Sequence, residues 1–98
     1  MKVNFNVSIK DFRGQDVILN DKPVMLADKV AQLLFNYGNT SQVPADDKWR
    51  AYKLCNRLME SGELELTTEE GAFVLNICGQ ALTAGVYGQV RDLIEENH

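Results

Sequence analysis

The chain has 98 residues, of which 45% are apolar and 24% charged, and a formal net charge of -4. That is the composition of an ordinary soluble globular protein of one domain's length, with room for a single thin core. No run of about 18 or more apolar residues is present to cross a bilayer, so no membrane partner is expected.

Residues 2–10, KVNFNVSIK, place Val3, Phe5, Val7 and Ile9 in strict alternation with polar residues. This is the pattern of a strand with one buried face. It lacks the continuous apolar stretch of a secretion signal, which makes the cytoplasm the expected location. Asp11 to Asp16 form a turn, with Gly14 free to take positive φ. Val17, Ile18 and Leu19 read as a second short strand, so residues 2–19 are expected to form a β-hairpin. Asn20-Asp21-Lys22-Pro23 is a turn in which Pro23 ends the strand region.

Helical spacing begins at Leu26, Val30, Leu33, Leu34 and Tyr37, giving a first helix over about 25–37 that stops at Gly38. A polar loop, Asn39 to Pro44, leads to a second helix over about 45–60. Asp46 and Asp47 favour its start, and Trp49, Tyr52, Cys55, Leu58 and Met59 are assigned to its apolar face. Leu64 and Leu66 are expected to face inward from a short extended piece. Thr67-Thr68-Glu69-Glu70 matches a capping box, with Thr67 as N-cap. A third helix over about 68–82 carries Phe73, Val74, Ile77, Cys78, Ala81 and Leu82. A fourth, over about 84–96, carries Val86, Val90, Leu93 and Ile94, unless it continues the third through a kink. The expected architecture is α+β: an N-terminal β-hairpin followed by three to four short helices in one domain, 1–98.

Candidate chemistry is sparse. Cys55 and Cys78 lie in apolar helical patterns without CxxC spacing and read as buried free thiols. The one histidine, His98, is terminal and reads as a frayed residue or a tag remnant. A structural zinc site, needing about four ligands, is not expected, and neither is any other cofactor. No nucleophile has a histidine base, and the glycines form no phosphate-binding loop. The acidic pairs Asp46/Asp47, Glu63/Glu65 and Glu69/Glu70 are explained by helix starts and polar faces. The chain is therefore read as having no catalytic, cofactor-binding or metal-binding residues.

Charge is unevenly spread. Residues 63–98 hold seven acids against Arg91, whereas residues 44–62 hold Lys48, Arg50, Lys53 and Arg57. The third helix opens with Glu69 and Glu70, the wrong sign for a recognition helix on phosphates, so nucleic acid is an unlikely partner. Candidate interaction residues are Trp49, Arg50, Lys53 and Arg57 on the second helix, and Tyr87, Asp92, Glu95 and Glu96 on the fourth. Trp49 is assigned to the core in preference to an interface, with the interface reading kept open. The open hairpin edge and the glycine-rich join of the last two helices are candidate surfaces for self-association.

Several stretches together carry a resemblance in pattern and spacing. They are the opening amphipathic strand with Asp11 and Gly14, the segment Leu26-Ala27-Asp28-Lys29-Val30-Ala31, Lys53-Leu54, Glu65-Leu66-Thr67 with Glu69-Glu70, and the closing Gly88-Gln89-Val90-Arg91-Asp92-Leu93-Ile94-Glu95. Along most of its length the chain resembles small proteins of unassigned function encoded by tailed phages and prophages. The resemblance implies a phage origin and a non-catalytic accessory role, and it assigns no functional residues. The leading expectation is a non-enzymatic phage or prophage protein that binds another protein, a phage structural component or host factor, with virion assembly as the setting. The alternative is an inhibitor of a host nucleic-acid enzyme or defence complex, acting through the acidic C-terminal face. The third is weak DNA binding through the second helix.

Overall fold

The alternating segment at the start of the chain is extended, but two separate sheets share it. In the computed structural model, which describes residues 1–39 and 41–96, His98 lies outside the described residues. Strand β1 (Lys2–Asn4) pairs antiparallel with β4 (Glu63–Glu65), Val3 opposite Leu64. The chain then bends. The Val7 amide donates to the Phe5 carbonyl, the Phe5 amide to the Gly62 carbonyl, and the Asn6 side-chain amide to the Ser61 carbonyl. Beyond the bend, residues 8–10 join β2 (Ile18–Leu19) and β3 (Lys22–Pro23) in a second small sheet. Ile9 is its hub: its amide donates to Val24 and its carbonyl accepts from Val17.

The expected α+β fold is present, and residues 9–10 pair antiparallel with residues 16–17; the hairpin expected over 2–19 differs in two respects. Its first half pairs with β4, because the Asn6 bend turns residues 2–4 away from residues 17–19. Lys22 and Pro23, expected within a turn, also form a strand. Asn20 and Asp21 both adopt positive φ, 53° and 64°, forming a two-residue turn of the kind that matches strand twist. The chain returns through Lys22 and Pro23 as a third strand. Pro23 removes one donor, but the Val24 amide donates to Val17 and the Val24 carbonyl accepts from Ile9. At the other turn, the Asp11 carboxylate accepts from the amides of Arg13 and Gln15, and Gly14 sits at φ 80°.

Four helices follow: α1 (Leu26–Phe35), α2 (Ala45–Ser61), α3 (Thr68–Ala81) and α4 (Ala84–Glu96). The α-helical geometry of α1 stops at Phe35, two residues short of the expected end, and α3 and α4 are separate helices. α1 lies against both α2 and α3, and α4 packs on α3 and β1. The capping box at Thr67 forms in both directions. The core draws on every layer, from Val3, Phe5 and Ile9 through Leu26, Val30, Leu34, Leu54, Leu58, Leu64, Leu66, Val74 and Ile77 to Val90 and Ile94. Val7, expected on the buried face, is 38% exposed because it lies on the bend.

Gly62 closes α2 at φ 77°, and a Cβ there would stand 2.1 Å from the Asn6 side chain. Both the left-handed backbone and the close approach demand glycine. Gly62→Ala is expected to cost roughly 2–4 kcal/mol in urea unfolding. Gly88→Ala, inside α4 with nothing within 4 Å of the added Cβ, is expected to stabilise by about 0.5–1 kcal/mol.

Candidate functional site

α2 carries two apolar stripes and only one of them faces the core. Ala51, Leu54, Cys55 and Leu58 are buried, Ala51 and Leu58 completely. Trp49, Tyr52 and Met59, expected on the buried face, are instead 61%, 50% and 54% exposed. The assignment of Trp49 to the core is therefore corrected. Phe35, at the end of α1, is 66% exposed and lines the same α1–α2 groove as Asn56 and Met59. The floor of that groove is Ala31 and Cys55, the thiol of Cys55 donating to the Ala31 carbonyl at 3.3 Å.

The basic residues of α2 do not form a free cationic face. The Arg50 guanidinium stacks on Phe73 at 5.1 Å, itself edge-on to Tyr37. Arg57 donates to the Glu65 carbonyl and pairs with Glu70 at 3.4 Å. Both arginines thus tie α2 to the next two elements. The Lys53 ammonium lies 3.9 Å from the Trp49 ring centroid, a cation–π contact at the surface. Trp49, Arg50, Lys53 and Arg57 do share one cleft, but Asp46 and Glu70 line it too, so its charge is mixed.

The acidic C-terminal third is also partly neutralised. Glu63 pairs with Lys2, Glu65 with the Met1 ammonium, Glu70 with Arg57 and Glu95 with Arg91. Asp92 and Glu96 are exposed on α4. Tyr87 is half-buried, its ring 3.4 Å from where a Gly79 Cβ would stand, and its hydroxyl accepts from Arg91. Its role is to let α4 close on α3. The eight sequence-derived candidates therefore fall into two groups, one on α2 and one on α4, that do not meet. Phe35, Tyr52 and Met59 belong with the first group. On α2 itself, Trp49, Tyr52 and Met59 follow one another at intervals of three and seven residues beside the core spacing.

The hairpin edge proposed for β-addition is closed at one point. The Gln89 side chain accepts from the Lys10 amide and donates to the Lys10 carbonyl, both at 2.9 Å, as a neighbouring strand would. Phe12, 92% exposed, and the half-exposed Ile18 and Leu19 lie at the turns beyond it. Cys78 is buried, which pushes its thiol up to about 12, and burial raises Cys55 in the same direction. Neither is poised as a thiolate. Among the described residues no three His, Cys, Asp or Glu side chains stand close enough to share a metal ion, and no helix is long and apolar enough to cross a membrane. Comparison with protein-family models, with curated proteins and with solved structures finds no match to this chain.

The Thr67 backbone amide, then the Arg57 charge, hold Glu70 below the ordinary carboxylate range. A depressed carboxylate stabilises the fold above its unfolded pKa, and that stability is lost as pH falls through the folded value. Glu70→Ala is expected to cost about 0.5–1 kcal/mol at pH 7. Measured by denaturant titration, the gap from the unsubstituted protein should shrink as pH falls below 4.5, the ordinary glutamate value.

Proposed function

We propose that this is a non-enzymatic accessory protein that works by binding another protein chain. The contact surface is the outer face of α2 with the rim of α1. The observation that carries this reading is the grouping of Trp49, Tyr52, Met59 and Phe35, each half or more exposed, along one side of a helix pair. Aromatic and methionine side chains dominate interface energetics. An exposed apolar stripe at helical spacing is the arrangement used when a helix packs on a partner. The phage or prophage setting, with virion assembly as the process and a structural component or host factor as the partner, is supported by the sequence resemblance alone.

A photo-crosslinking amino acid at Tyr52 tests the surface, with the same residue at Gln80 on α3 as the control. Crosslinks to protein are expected from position 52 and not from position 80, read by mass spectrometry of the adducts. Equal or absent crosslinking at both positions would remove this reading. Tyr52→Ala and Met59→Ala should leave stability within about 0.5 kcal/mol, because neither side chain is buried. Leu54→Ala should cost about 2–5 kcal/mol.

A further inference from the structure

We infer that the outer face of α2 is the seam of an antiparallel homodimer. This rests on the protein-binding reading above and takes a second copy of this chain, in place of a structural component or host factor, as the occupant of that face. Trp49, Tyr52, Asn56 and Met59 follow one another at intervals of three, four and three residues. That is the a–d–a–d spacing of a helix packed on another at a shallow angle. The core of the protomer already uses a different stripe of α2, so this one faces outward, bordered by Lys53 over Trp49 and by Phe35 beside Met59.

Complementarity selects a second copy and its direction. Place a two-fold axis at the level of Leu54, with the helices antiparallel. Trp49 then lies opposite the partner's Met59, a large ring against a flexible thioether, a favourable pairing. Tyr52 lies opposite the partner's Asn56, so the polar position of the seam meets a hydroxyl, and a single polar seam residue fixes register. Positions 53 and 60 flank the seam on the same side of both helices: Lys53 stands about 3 Å along the seam from the partner's Lys53 and about 7.5 Å from the partner's Glu60, leaning away from the first and toward the second, twice by symmetry. The Lys53 side chain already leans back over Trp49, with Nζ 3.9 Å from the ring centroid. That brings its charge toward the level at which the partner's Glu60 would stand. A parallel pairing would instead set Lys48 against the partner's Lys53, two like charges. Phe35 flanks the seam on the α1 side.

The area fits a reversible association. Aromatic side chains present about 150–250 Å² each. At the exposures of Trp49, Tyr52, Met59 and Phe35, the patch offers on the order of 400 Å² of apolar surface per copy. Lys48, Lys53, Asn56 and Glu60 extend it toward the ~800 Å² per partner of a standard interface.

Sedimentation equilibrium of the full chain, with Trp49 emission followed over the same concentrations, tests the inference. Trp49 is the one tryptophan, so its emission reports this seam directly. The expected result is a doubling of mass with rising concentration, accompanied by a shift of emission to shorter wavelength. Lys53→Glu or Glu60→Lys alone should weaken dimerisation about tenfold. The two together should restore it to within about twofold of the unsubstituted chain. A chain that stays monomeric up to about 1 mM would overturn the dimer, and so would single reversals without effect or a double variant without recovery. Crosslinks from position 52 to a different protein, with the chain monomeric, would overturn the dimer and leave the binding reading standing.

Discussion

A three-residue ladder between β1 and β4 ties the start of the chain to the segment separating α2 from α3, and α2 and α4 pack against its two strands. Closing a loop of about 60 residues costs chain entropy, and a ladder this short is not stable alone. It is held by what lies around it. Val3, Phe5, Leu64 and Leu66 are buried on its inner side. Asn6 presses on Gly62 with its amide on the Ser61 carbonyl, so strand end and helix end are fixed together. The Met1 carbonyl accepts from the Leu66 amide and extends the pairing.

That fixed end sets the rotation of α2 about its own axis. With Gly62 anchored, Arg57 reaches the Glu65 carbonyl and the Glu70 carboxylate, and Arg50 covers the Phe73 ring about two turns earlier. These contacts lie beside Leu54 and Leu58 and turn both inward. The same rotation carries Trp49, Tyr52 and Met59 outward. The basic residues that gave α2 a superficial likeness to a nucleic-acid-binding helix thus serve its placement. Exposed ion pairs are individually weak, about 0–1 kcal/mol, but here they choose between two apolar faces, for which a small bias is enough.

Local signals were sufficient wherever one residue answers to its neighbours. The capping box at Thr67, the inward Leu64 and Leu66 and the Asp11–Gly14 turn are all set within a few residues, and all were legible. The partner of β1 was not, because strand pairing across 60 residues leaves no trace in either segment's own alternation. The Asn20-Asp21 turn was read as the end of the strands because Pro23 follows it. The proline lies after the turn, where it removes a single donor. The outward stripe of α2 was hidden by composition: six large apolar residues on one helix fit more than one face, and periodicity alone does not say which face meets the core. Arg50 and Arg57 decide it, through contacts with elements distant in sequence. Phe35 was missed because α1 ends there, two residues before its expected stop.

Exposed apolar residues are common, and taken singly they require no explanation. Phe12 and Leu19, at turn tips, are of that kind. The α2 stripe differs in three ways. It keeps helical register over more than two turns, it is bordered by Lys53 and Glu60 with opposite charges, and it runs beside a core stripe that already satisfies the helix. At α3 local propensity, the capping box and burial agree, as they do in sequences with one dominant fold. Departures from such agreement concentrate where function needs them. A helix that packs its own core through Ala51, Leu54, Cys55 and Leu58 has no folding use for Trp49, Tyr52 and Met59. Their burial free energy is therefore available to association.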